Sequence, residues 1–246
     1  MKVAAIQFRP KFKDKESNLR KLASLVVDAS KTGARVVVLP ELCTTGYSFL
    51  SHREAADLAE PIVAGARTFD VMQQLSHRLN LVIAWGMVER DAGTGKLYNS
   101  QVMVTPRDGY VSYRKVNLWG NDFIWAQPGR GSPPILRVSF GVATYRLGLL
   151  ICRDVRDKSR GIPDLYEKGD ADAVLFSANW GRGGFPAVAW MDFVQDNGMS
   201  LVVANRHGVE EHNDFGMGGS CIVLPGGVVI TDGLVMGQDC IVTGEI

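Results

Sequence analysis

Two rhythms of apolar and polar positions run along this chain, and they place most of its secondary structure. Residues 2–8 form a short, mostly apolar run that predicts a buried strand. Leu19, Leu22, Ala23, Val26 and Val27 then recur at i, i+3, i+4 spacing and predict a helix, with Ser17 or Asp14 to cap its start and Gly33 to end it. Arg35-Val36-Val37-Val38-Leu39 is a β-branched run of the kind found in strands covered on both faces, and it stops at Pro40-Glu41. A second helix within 67–79 leads to a strand at 81–86. A hairpin follows, with strand 98–105, a turn at Pro106-Arg107-Asp108-Gly109 and a return through 110–115 that ends on Lys115. Residues 117–132 read as loop, and strand 144–151 runs straight into Cys152. Helix, strand and helix are expected at 158–169, 173–177 and 186–197, and strands near 200–205, 219–224, 227–231 and 239–243 close the chain. Strands alternate with helices early and hairpins come later, with no repeat or linker. The expectation is one α/β domain with layered sheets.

Composition narrows the function classes. The 246 residues carry 46% hydrophobic and 22% charged positions, enough for a sizeable soluble core. The net charge of +1 is spread evenly, which gives no reason to expect nucleic acid or a membrane surface. No apolar run reaches the roughly 20 residues of a spanning helix, and the N-terminus does not read as a signal peptide. Cys43, Cys152, Cys221 and Cys240 are scattered, so reduced thiols in a cytoplasmic compartment are expected rather than a disulfide scaffold. No Cys-x-x-Cys or His-x-x-x-His pair suggests zinc, and no cofactor is called for. Gly218-Gly219-Ser220-Cys221 is not a serine-hydrolase elbow, and Gly181-Arg182-Gly183-Gly184 lacks the ending of a phosphate-binding loop.

Glu41, Lys115 and Cys152 share one feature: each closes or directly follows an apolar strand. Strand-end residues far apart in sequence converge on one rim of a sheet. There a carboxylate accepts a thiol proton, a cation favours the thiolate, and an ammonium with the Arg153 N–H stabilises the charge that develops when sulfur attacks an amide or nitrile carbon. Taken singly, each has a bland reading: a core thiol, a solvated lysine, a turn glutamate. Their contexts change that. Val38-Leu39-Pro40-Glu41-Leu42, Tyr113-Arg114-Lys115-Val116-Asn117-Leu118-Trp119 and Leu149-Leu150-Ile151-Cys152-Arg153-Asp154 resemble the three signature segments of the nitrilase superfamily of carbon–nitrogen hydrolases, in its amidase-like branch. Thr45-Gly46-Tyr47, Leu97-Tyr98-Asn99-Ser100, Pro128-Gly129, Ser177-Ala178-Asn179-Trp180, Ala204-Asn205-Arg206 and Gly219-Ser220 resemble its minor blocks, in order, across essentially the whole chain.

The resemblance implies a four-layer α-β-β-α sandwich as a single domain over 1–246, a homodimer or higher homo-oligomer, and a Glu-Lys-Cys centre acting on a small amide, ω-amide or N-carbamoyl compound. Cys152 would attack, Glu41 would move the proton and Lys115 would hold the oxyanion. Where many members carry a second glutamate, this chain has Asp122, with Asn121 beside it; an Asx-turn is the alternative reading of that aspartate. Arg153 stands where an aromatic is common and is read either as a partner for a substrate carboxylate or as a pair with Asp154 or Asp157. Tyr47, Trp119, Trp125, Asn179 and Trp180 are expected around the substrate pocket, though each aromatic is equally readable as packing. Hydrolysis of a small nitrile, and a non-catalytic interaction module that keeps the fold, are the alternatives.

Overall fold

The computed structural model describes residues 1–107, 109–155, 166–181 and 184–246. The first part of the chain builds one sheet. β1 (Lys2–Gln7) leads through α1 (Lys15–Lys31) to β2 (Val36–Val38), and α2 (His52–Ala56) and α3 (Arg67–Leu79) precede β3 (Val82–Arg90). These three strands are parallel. β4 (Leu97–Val104) and β5 (Tyr110–Arg114) then add antiparallel, and one turn of helix, α4 (Asp122–Trp125), follows.

The second sheet starts with the antiparallel pair β6 (Ile135–Phe140) and β7 (Ala143–Ile151) and continues in parallel with β8 (Ala173–Ala178). After α5 (Val188–Asn197) comes β9 (Ser200–Asn205), then the small hairpin β10 (Val209–Glu210) and β11 (Asn213–Asp214). β12 (Cys221–Val223) and β13 (Val229–Ile230) complete that sheet, and β14 (Cys240–Glu245) returns to pair with β1. The orders are β14-β1-β2-β3-β4-β5 and β13-β12-β9-β8-β7-β6.

Period-two alternation sorts the side chains into layers. Val3, Ala5, Val36, Val38, Val82 and Ala84 point inward and meet Leu147, Leu149, Ala173, Leu175, Val202 and Ala204 of the facing sheet. Their neighbours Ala4, Ile6, Val37, Leu39 and Ile83 point outward, under Leu19, Leu22 and Val26 of α1 and Phe69 and Met72 of α3. Trp190, Phe193 and Val194 of α5 cover the other sheet through Val174, Phe176, Leu201 and Val203. This is the expected α-β-β-α sandwich.

A polar lock crosses the interface between the sheets. Gln101 of β4 donates to Leu175 O at 3.0 Å and Ser177 Oγ at 2.8 Å and accepts from Leu150 N at 3.0 Å. Ser177 Oγ in turn donates to Leu39 O at 2.7 Å.

The periodicities locate the long elements to within a few residues, and Asp14, not Ser17, caps α1 by accepting from Ser17 N. Several short elements differ from expectation. β6, α2, α4 and the β10–β11 hairpin are additional; each is brief or, for β6, exposed or half-exposed at all but one position, so its apolar period is weak. Asp108 of the hairpin turn and most of the helix expected at 158–169 lie outside the described residues.

Candidate active site

Strand direction decides where the chemistry gathers. β2, β7 and β8 all end at one rim, and β5, twice reversed from β3, ends there too. Ligands of open α/β sheets bind outside such carboxyl ends. The chain beyond β2 stays on β3 through bonds from Leu39 N to Ala84 O and from Gly86 N to Pro40 O, then turns sharply at Leu42, whose φ is +48°. Gly86 is required here, because a Cβ on it would lie 2.6 Å from Glu41 Cα and from Leu42 N. Lys115 N donates to Asn99 O at 2.8 Å, extending the β4–β5 ladder by one bond. Cys152 sits where β7 breaks into a tight turn, at φ +40°, a left-handed conformation that thiol-bearing residues rarely adopt.

Glu41, Lys115 and Asp122 are fully buried together. Lys115 Nζ donates to Glu41 Oε1 at 2.8 Å and to Asp122 Oδ2 at 2.6 Å. Asn99 Nδ2 bridges the same two carboxylates, at 2.7 Å to Glu41 Oε1 and 3.0 Å to Asp122 Oδ1. Asn179 N donates to Glu41 Oε2 at 2.9 Å, and Trp119 N to Asp122 Oδ2 at 3.1 Å. Cys152 completes the cluster, on the same cavity wall as Glu41, Lys115 and Asn179 and close enough to Glu41 for its charge to act on the thiol.

Burial alone would depress the Lys115 ammonium, but Asp122 and Glu41 outweigh it and hold the lysine charged well above its ordinary range. The thiol goes the other way. Burial and the adjacent Glu41 charge push Cys152 far up, against the opposing pull of Lys115. Lys115 pulls toward the thiolate, as a cation there should, but burial and the Glu41 charge outweigh it. The balance favours the neutral thiol beside the Glu41 carboxylate.

The cluster opens on a cavity of about 170 Å³, walled by Glu41, Lys115, Cys152 and Asn179 on one side and by Tyr47, Trp119 and Phe215 on the other. A larger cleft of about 790 Å³ near Arg9 and His207 shares none of these residues.

A sequence profile for carbon–nitrogen hydrolases matches residues 2–242. The chain belongs to the carbon–nitrogen hydrolase family. It is similar to a nitrilase of Pyrococcus abyssi (strain GE5 / Orsay), with 31% identity over 94% of this chain and 84% of that protein. It is likewise similar to an (R)-stereoselective amidase of Pseudomonas sp, at 30% identity over 94% and 80%. The crystal structure of an amidase from Nesterenkonia sp. superposes with a TM-score of 0.78 at 22% identity, over 99% of this chain and 89% of that one, so the fold is shared.

In this hydrolase the structure gathers Glu41, Lys115, Cys152 and Asp122 into contact and puts Tyr47, Trp119 and Asn179 on the cavity wall. The Asn179 carboxamide, 8% exposed, has no partner among the described residues. Four other candidates stand elsewhere. Trp125 is 2% exposed and packs edge-on against Phe49, with ring centroids 5.8 Å apart. Trp180 packs on Trp190 at 5.6 Å. Asn121 spends its carboxamide on Phe49 O at 2.9 Å and its N–H on Tyr47 Oη at 3.1 Å, so it shapes the wall from behind. Arg153 lies over the Trp119 ring at 5.1 Å and lines an adjoining cleft with Asn117, Phe123 and Pro128. Its suggested partner Asp154 instead accepts from Tyr113 Oη, Val116 N and Asn117 N, holding the segment beyond Lys115. Asp157 lies outside the described residues.

Sequence reading gave no role to Asn99 and none to Asn213, Asp214 and Phe215, which complete the far wall. The signal for Asn99 was available: Asn99-Ser100-Gln101 is a polar triplet inside an otherwise apolar strand, and all three are fully buried. Nothing comparable marks the far wall. It is held by Arg206, whose guanidinium lies 3.9 Å from the Phe215 ring and donates to Glu210 Oε2 at 2.7 Å. Glu210 Oε1 accepts from Tyr47 N at 2.7 Å and Ser48 N at 2.9 Å, which fixes the Tyr47 loop.

Proposed function

We propose that this hydrolase cleaves the C–N bond of a small amide, ω-amide or N-carbamoyl compound through an acyl-cysteine intermediate. The observation that carries the reading is the single carboxylate of Glu41, held by Lys115 on one side and against the Cys152 thiol on the other, at the wall of a 170 Å³ cavity. With a neutral thiol, the buried cluster holds one net negative charge. Loss of the thiol proton to solvent would add a second, whereas its transfer to Glu41 leaves the charge of the cluster unchanged, so Glu41 takes the proton as sulfur attacks.

Sulfur adds to the carbonyl carbon while its proton passes to Glu41. Lys115 and the Arg153 N–H stabilise the oxyanion. Glu41 then gives the proton to the leaving nitrogen, the C–N bond breaks, and ammonia or an amine departs, leaving a thioester. Glu41 next takes a proton from water, which attacks the thioester; the acid leaves and the proton returns to sulfur. The small cavity favours a short acyl group.

The test is ammonia or amine release from a panel of amides, ω-amides, N-carbamoyl compounds and nitriles, with wild type and Cys152→Ala. Turnover of at least one amide, reduced by about a thousandfold or more in Cys152→Ala, is expected. Turnover of nitriles alone would move the assignment to nitrile hydrolysis, and undiminished turnover in the variant would remove the sulfur from the chemistry.

A further inference from the structure

Asn99 is fully buried at the start of β4 and does three things at once. One N–H of its carboxamide meets Glu41 Oε1 and the other meets Asp122 Oδ1, while its main-chain oxygen accepts from Lys115 N at 2.8 Å. The opposite amide orientation would turn its oxygen onto two carboxylates, so the site dictates which way it faces. Its Oδ1 is left buried without a donor among the described residues, which is a poor arrangement for stability alone.

The carboxylate oxygens are unequally served. Glu41 Oε1 takes both Lys115 Nζ and Asn99 Nδ2, and Asp122 has a donor on each oxygen. Among the described residues Glu41 Oε2 takes only the Asn179 N–H, and Cys152 stands beside this carboxylate on the cavity wall. We propose that Asn99 is a positioning residue that prevents the two buried carboxylates from sharing a proton and so reserves Glu41 Oε2 for the proton of Cys152. This rests on Glu41 being the base in the function proposed above. Among the described residues the titratable or charged groups around Glu41 are Lys115 beyond β5, Asp122 on α4, Cys152 beyond β7, Tyr47 beyond β2 and Arg206 beyond β9.

Donors to an ionised carboxylate favour that form, so removing one favours protonation. In Asn99→Leu, close in size but without a donor, the acid limb of the kcat/KM profile should move up by about 1–2 pH units. Asn99→Asp, which puts an acid in the same space, should move it in the same direction, and it provides a second reading if the leucine variant does not fold. The experiment measures ammonia release and, separately, the rate of Cys152 alkylation by iodoacetamide from pH 5 to 9.5 on the full chain, with Cys152→Ala as the blank. An upward shift of the limb, with the deficit shrinking at high pH, is expected in both measurements. A folded variant that keeps the wild-type limb while both rates fall equally at every pH would reduce Asn99 to packing and overturn the proposal. If no amide is turned over but the alkylation limb still moves with Asn99, the amide reading fails while the role of Asn99 stands.

Discussion

Replacing Lys115 by methionine separates the stability of this cluster from its chemistry. The ammonium is about 1% exposed and is shared by two carboxylates at 2.8 and 2.6 Å. Removing one partner of a buried ion pair typically costs about 3–5 kcal/mol, because the remaining charge is left without compensation. Here two charges are left, so Lys115→Met should lose about 5 kcal/mol at pH 8, a large share of the roughly 5–15 kcal/mol that holds a domain of this kind together. The loss should shrink toward pH 5. A carboxylate stripped of its cation takes up a proton more readily in the folded state than in the unfolded one. Such a group stabilises below the unfolded value and loses that contribution as pH rises through the folded one. Adding Asp122→Asn restores the net charge of the cluster, so Lys115→Met/Asp122→Asn should recover about half of the loss at pH 8 while remaining inactive. Urea unfolding at pH 5 and 8, with ammonia release in parallel, decides it. A single variant as stable as wild type at pH 8, or a double variant less stable than the single, would refute the electrostatic account.

Three further outcomes are expected. Gly86→Ala drives a Cβ to within 2.6 Å of the Glu41 backbone, so kcat/KM should fall by about a hundredfold with a far smaller change in stability, seen by steady-state kinetics and unfolding on the same samples. Burial pushes the Asp154 carboxyl up to about 7, so its ionised form destabilises the fold: the contribution is favourable below the ordinary carboxylate range and is lost as pH rises through 7. Asp154→Asn should therefore gain roughly 4 kcal/mol relative to wild type between pH 4 and 8 in urea unfolding, and parallel profiles would exclude this. Tyr47→Phe removes the hydroxyl that donates to Trp119 O and accepts from Asn121 N, so KM should rise roughly tenfold with kcat less affected, as read from initial rates.

The candidate site was legible because its residues sit at the ends of runs such as Val36–Val38 and Ala143–Ile151, where apolar pattern and chemistry change abruptly. The fold followed from the same runs and from the motif set. Aromatic residues resisted assignment for a physical reason: indoles are equally suited to a core and to a cavity wall. Only coordinates distinguish Trp119, 49% exposed, from Trp125 and Trp180, which pack on Phe49 and Trp190. Asp122 was placed by motif order, but its contact with Lys115 depends on the single helical turn of α4, too short to leave a period. Asn213, Asp214 and Phe215 reach the cavity through a two-residue hairpin and an Arg206–Glu210 pair, and local pattern carries no trace of such long-range support.

The polar lock between the sheets explains how four strands from two sheets hold one site in register. Leu39, Gln101, Leu150, Leu175 and Ser177 make the lock. Glu41, Asn99, Cys152 and Asn179 each lie two residues away on the same segment, toward the rim. Two residues are one pleat repeat, roughly 6.6 Å, so the lock fixes the sheets against sliding one layer behind the candidate site. Apolar packing alone would not do this, because methyl and methylene contacts are non-directional and the inner faces are lined by interchangeable valine, alanine and leucine. Buried hydrogen bonds are directional and fail together when one sheet slips. A polar triplet in a core strand is therefore consistent with the function proposed for the rim: Ser100 ties to Glu89, Gln101 sets the spacing of the sheets, and Asn99 arranges the carboxylates.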